Sequence, residues 1–202
     1  MVDIASVAPS TRDFLQAIAT RKKRLVLVPL VDRVDDAVTL AAAGVTVFAV
    51  SAPGTTMRAV SAAVGAMPVL SLLPITSAED ALVARAGGAD AVVVEASEAA
   101  RWNSLAKDAF STRMAALALL ADAASAAFAA TTSARGAYLK VCDPADVTAA
   151  VAKLGSLRTV AHLPSVDETT LRSLRGVVDA VIVEGDLFLS TSFDTLREEL
   201  DP

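Results

Sequence analysis

Short apolar runs recur along the chain about every 20–25 residues. They are Leu25–Leu30, Thr46–Ser51, Val69–Leu73, Ala91–Glu95, Ala116–Leu120, Tyr138–Cys142, Thr159–Leu163 and Ala180–Glu184. Each is strand-length, and most are rich in Val and Leu on successive positions rather than alternating ones. That pattern predicts strands covered on both faces, as in a parallel sheet.

Helix-like segments fall between the runs. Asp35–Ala43 opens with acidic residues and stops at Gly44. Ser77–Ala86 opens on Ser77, carries Asp80 three residues later, and stops at Gly87-Gly88, a capped helix with a marked end. Asp143–Leu154 places Pro144 in the first turn, where a missing N–H costs little, and stops at Gly155. Ala123–Ala134, Asp167–Leu174 and Phe193–Leu200 complete the predicted set, the first of these fraying near Thr131-Thr132. A leading helix over Thr11–Arg21 has Phe14, Leu15 and Ile18 at three-to-four spacing, an apolar stripe able to cover the bottom of a barrel.

Eight such units predict a compact (βα)8 TIM barrel with short βα loops and an N-terminal extra helix. The expected organisation is one domain over residues 1–202, with 1–23 as leading helix and 24–202 as the eight units. An open doubly wound sheet would place a glycine-rich phosphate loop after the first strand, but Val31–Asp36 contains no glycine.

Composition narrows the chemistry. The 202 residues include one Cys and one His, which excludes an intrachain disulfide framework and a histidine-rich metal site. Eighteen basic against 23 acidic residues give a net charge of −5, which argues against general binding to nucleic acid or acidic membranes. No leader pattern opens the chain and no run approaches the roughly 20 residues a spanning helix needs, so the expectation is a soluble cytoplasmic protein with no membrane contact. Arg21–Arg24 reads as a solvated face. Cys142, just before a helix, is either a thiol with a lowered pKa or a small buried hydrophobe, and the second is expected.

Several segments resemble indole-3-glycerol phosphate synthase, the (βα)8 lyase of tryptophan biosynthesis. Pro68–Ala96, with its EDALVARAGGADAVVVEA core, is similar to that family's third strand, third helix and fourth strand. Val160–Leu200 is similar to its last two units, and FLQAIATRKKR to its approach to the first strand. The resemblance implies a phosphate-binding lyase scaffold. At the positions where the family carries its catalytic groups this chain differs. The first-strand lysine falls in Val28-Pro29-Leu30 and the third-strand lysine on Leu72. The fifth-strand glutamate and its neighbouring histidine fall on Leu119 and Ala121. The sixth-strand asparagine pair falls in Lys140-Val141-Cys142, and the seventh-strand glutamate on His162. Pro164 replaces a phosphate-loop glycine and has no N–H to donate, and the family's Gly-Glu pair reads Glu184-Gly185. The expectation is a diverged member, a pseudoenzyme for ring closure, each missing acid–base group being worth about 10²–10⁴-fold.

The remaining polar residues define the candidate site. Lys140, His162 and Glu184 end adjacent strands and converge at one rim if their side chains face inward; they are the candidate catalytic residues. Ser51, Gly185 and Asp186 are candidate ligand contacts. Leu139–Val147 loosely resembles the Schiff-base lysine strand of type I dehydroquinate dehydratase, so Lys140 is either a buried nucleophilic amine or a rim lysine reaching solvent. His162 is either a base or an imidazole satisfied by Glu184, Lys140 or Asp143. Asp32, Glu95, Asp122, Asp143, Glu184 and Asp186 form an acidic ring that either holds a cation or caps helices. No ligand spacing selects a metal, so capping is expected and no metal or cofactor is assigned. The alternatives to a diverged lyase are a non-catalytic interaction or oligomerisation protein, homo-oligomeric or with a protein partner, and a lyase or aldolase-type enzyme using Lys140. The expected ligand is a small phosphorylated or carbonyl compound.

Overall fold

The computed structural model describes residues 7–19, 24–140, 143–164, 166–184 and 188. Among them, eight parallel strands close into a barrel: β1 (Val26–Leu30), β2 (Phe48–Val50), β3 (Val69–Ile75), β4 (Ala91–Val94), β5 (Ala115–Leu120), β6 (Gly136–Lys140), β7 (Arg158–His162) and β8 (Ala180–Glu184). The helices are α1 (Phe14–Ala17), α2 (Val34–Ala42), α3 (Gly54–Val64), α4 (Ala78–Ala86), α5 (Ala99–Ser111), α6 (Ala123–Ala129), α7 (Pro144–Leu154) and α8 (Glu168–Leu174). The protein is a (βα)8 TIM barrel. Every apolar run of the sequence is a strand, although β6 begins two residues earlier than its run. The expected helix over 193–200 lies outside the described residues.

The helices start and stop where local chemistry directs. Ser77 and Asp80 form a reciprocal capping box on α4, and the Thr76 backbone N–H, foremost among the donors to it, holds the Asp80 carboxyl below its ordinary value. Asp122, Asp143 and Asp167 each accept a backbone N–H at the start of α6, α7 and α8. The helices α3 and α5 carry weaker signals. Neither has a side-chain cap, and Gly54 sits at the first position of α3.

Two apolar layers result. One lies between sheet and helices and includes Phe48, Met57, Trp102, Leu120 and Leu171. The other fills the barrel with Val28, Ala49, Leu70, Val93, Leu117, Val160 and Ile182, and Phe14 and Ile18 of the leading segment pack into it from below. The helix of that segment is one turn, Phe14–Ala17, shorter than the stripe predicted, yet its Phe14 and Ile18 are fully buried. It acts as a plug under the barrel.

One seam is thin. Val31 donates its N–H to the Ala49 carbonyl, so alternate N–H groups of β1 face β2, and Pro29 on that side has none. The β1–β2 pairing accordingly reduces to Leu30 opposite Ala49, whereas β1 and β8 pair over five positions.

The feet of β4 and β8 are built alike. The hexapeptides Asp90–Glu95 and Asp179–Glu184 both read Asp-Ala-Val-apolar-Val-Glu. Both aspartates are buried, and each carboxylate accepts the N–H of a residue at the foot of the preceding strand at 2.9 Å, Val69 for Asp90 and Thr159 for Asp179. Each main-chain carbonyl accepts an N–H from the following strand, Ala115 at 2.9 Å and Val26 at 3.0 Å. A single aspartate thus joins three strands.

Candidate functional site at the barrel mouth

Strand alternation decides which residues reach the mouth. Val28, Ala49, Leu70, Val93, Leu117, Tyr138, Val160 and Ile182 belong to the interior layer, so the residues two positions further on, Leu30, Ser51, Leu72, Glu95, Leu119, Lys140, His162 and Glu184, share the inward face at the C-terminal rim. The mouth is therefore divided. On β1 to β5 the leucines Leu30, Leu72 and Leu119 pack against the interior layer and alternate with the exposed Ser51 and Glu95, while Lys140, His162 and Glu184 make an unbroken polar crescent on β6, β7 and β8.

Within the crescent, Lys140 lies opposite His162 in the β6–β7 register, and His162 lies opposite Ile182 in the β7–β8 register. Glu184 lies opposite Leu30 on β1. His162 is half-buried, while Lys140 and Glu184 are exposed. Lys140 thus stands at the rim in contact with solvent, and the burial that would make its amine a nucleophile is absent.

The partner of the histidine is a residue that sequence reasoning did not single out. The Tyr138 hydroxyl and His162 Nδ1 share a hydrogen bond of 2.6 Å, not an interaction with Glu184 or Asp143. The signal was available: Tyr138 is the sole tyrosine and stands two residues before Lys140 on the same face of one strand. Burial, and then the positive charge of Lys140, hold the imidazole below its ordinary value of 6.5. Burial also pushes the Tyr138 phenol up to about 12. At neutral pH both groups are uncharged, and the bond fixes one imidazole nitrogen so that the other is left for a ligand.

A cavity of about 240 Å³ opens beside this pair, lined by His162, Leu163, Pro164, Val166, Ile182, Val183 and Glu184. It lies between the ends of β7 and β8. Ser51, exposed after β2, is two strands round the barrel from β8 and does not line the cavity. Gly185, Asp186 and Cys142 lie outside the described residues. Of the acidic ring, Asp122 and Asp143 serve as helix caps, Asp32 and Glu95 are exposed, and no group of three potential ligands comes together among the described residues.

The chain shares its fold with enzymes that carry lyase and synthase names. A 3-hexulose-6-phosphate synthase superposes with a TM-score of 0.67 at 16% identity, over 88% of this chain and 97% of that one. A lyase/mutase-like protein from Burkholderia cenocepacia gives 0.69 at 18% identity, over 90% and 84%. A thiamine phosphate pyrophosphorylase from Pyrococcus furiosus gives 0.63 at 15% identity, over 90% and 99%. No protein-family model and no curated protein sequence matches the chain. At these identities the likeness establishes the barrel and leaves the chemistry to the residues. Among the described residues, no helix is long and apolar enough to cross a membrane.

Proposed function

We propose that this protein is a diverged lyase-type barrel, similar in plan to indole-3-glycerol phosphate synthase, that does not close an indole ring. Its mouth instead takes a small phosphorylated or carbonyl compound on the β6–β8 side. Leucines occupy the inward rim of β1, β3 and β5, the positions at which the resembled family carries the lysines and glutamate of ring closure, so that particular set of acid and base groups is missing. The observation that carries the reading is the register pair Lys140–His162, with a neutral imidazole fixed by Tyr138 beside an ammonium group.

In this reading Lys140 attracts the anionic part of the ligand, and its exposure makes it a cation rather than a Schiff-base former. His162 exchanges a proton with the ligand. Glu184 accepts a hydrogen bond from a hydroxyl and repels a second anion from the β8 side. Support for a phosphorylated ligand comes also from two neighbours whose names specify phosphorylated compounds.

Purified protein should show no ring-closure turnover, and measurable turnover would end the first half of the proposal. The second half is tested by titrating glyceraldehyde 3-phosphate while following the sole histidine by NMR. Saturable movement of the His162 signal, lost in Lys140→Ala, supports the site. An unmoved signal overturns it.

A further inference from the structure

At the end of the barrel opposite the mouth, arginines stand at the feet of three successive strands. Arg113 precedes β5 by two residues, Arg135 immediately precedes β6, and Arg158 is the first residue of β7. All three, with Arg12, line one cavity of about 560 Å³ beneath the barrel. That volume is in the range of small-molecule sites.

The charges in this cavity are unevenly satisfied. Arg12 is committed to the buried carboxylate of Asp90, which a second arginine, Arg85, also contacts. Asp13, the other acidic residue on the wall, is engaged by the Gln16 N–H as a helix cap. Arg158 reaches Asp179 only at 3.4 Å. Arg113 and Arg135 are exposed and have no ion pair among the described residues. Among the described residues two guanidinium groups are therefore without a carboxylate, and a third is weakly paired. Planar guanidinium forks match phosphate oxygens two at a time.

A second observation concerns the backbone. Arg113 has φ of 59°, the one non-glycine residue with a positive value among those described. It follows the cap of α5, a position where glycine is the relaxed choice. An arginine held there in the left-handed region is strained, and such strain is concentrated at functional positions. One turn earlier, Phe110 lines the same cavity with 40% of its surface exposed, an apolar ring beside the cationic wall.

We propose that this basal cavity binds a phosphorylated organic anion that carries a planar ring, of the size of a nucleoside diphosphate. The phosphates lie against Arg113, Arg135 and Arg158, and the ring lies against Phe110. This site is independent of the mouth and does not rest on the function proposed for it.

The test is calorimetric titration of the full chain with ADP, pyrophosphate and adenosine in moderate salt. The expected result is saturable ADP binding with which pyrophosphate competes, and weaker binding of adenosine. Arg113→Gly and Arg135→Gln should each weaken ADP at least tenfold, and Phe110→Ala should weaken ADP but not pyrophosphate. His162→Gln should leave all three unchanged. Arg113→Gly also controls for folding, because glycine relaxes the backbone there, so its melting temperature should not fall. Absence of ADP binding, undiminished binding by Arg113→Gly and Arg135→Gln, or loss of binding in His162→Gln would each overturn the proposal.

Discussion

The Tyr138 hydroxyl sits 2.6 Å from Nδ1 of His162, across the β6–β7 seam and one layer below the rim. The chain has no other histidine and no other tyrosine, so each group gives a single, unambiguous spectroscopic signal. That makes the site open to direct titration.

Lys140→Met removes the positive charge beside the imidazole and leaves its burial. The His162 pKa should therefore rise toward 6.5 without reaching it, as read by the NMR titration of the imidazole. Tyr138→Phe should change the tautomer balance of the ring while leaving the fold intact. A titration unchanged in Lys140→Met would mean that the ammonium points away from the ring.

The same depressed pKa makes stability depend on pH. The unfolded chain binds the His162 proton more readily than the folded one, so stability is unaffected above about 6.5 and falls as pH drops below it. Urea unfolding from pH 8 to pH 5 should show this decline. His162→Gln should flatten it over that window, the carboxylates contributing their own decline at lower pH.

Asp90 and Asp179 occupy equivalent places but carry different loads. Asp90 is met by Arg12 at 2.8 Å, Arg85 at 3.0 Å and the Ser10 hydroxyl at 2.5 Å, and those arginines also hold the chain at Ala8, Gly65 and Met67. Removing a buried partner from such a network costs about 3–5 kcal/mol. Asp90→Ala should lose that much in denaturant unfolding, and Asp179→Ala clearly less, since its arginine is more distant and partly exposed. Equal losses would show that the backbone N–H groups, not the arginines, dominate.

Glycine substitutions separate crowding from backbone strain. Gly88 has φ of 93°, and a Cβ there would stand 2.5 Å from the Ser61 Cβ and nearer still to its Oγ. Gly65 has φ of 63° with nothing within 4 Å. Gly65→Ala should cost about 1–2 kcal/mol, the left-handed penalty alone. Gly88→Ala should cost more, and Ser61→Gly should cost less in the Gly88→Ala chain than in the parent, where it loses the hydroxyl's bonds with Arg12 and the Gly88 carbonyl and relieves no crowding, as measured by thermal unfolding.

The plug under the barrel is tested by Phe14→Ala. Phe14 is fully buried against the interior layer, and such truncations cost about 3–5 kcal/mol. A loss under about 1 kcal/mol would mean that the leading segment only rests on the barrel.

Local order in this chain is written locally. Runs such as Ala91–Val94 and Ala180–Glu184 are apolar on both faces because both faces are covered, and that pattern predicts a parallel strand without knowledge of its neighbours. Ser77 with Asp80, and Asp143 with Pro144, mark helix starts through bonds that span a few residues. The barrel, its eight strands and the plugging role of Phe14 and Ile18 were legible for that reason. Partnership across strands was not. The choice of Tyr138 rather than Glu184 for His162, and the gathering of Arg113, Arg135 and Arg158 over one cavity, depend on register and on where each strand begins in space. Those quantities are set by the closure of the whole sheet, because a side chain 24 residues away becomes a neighbour only when β6 and β7 pair.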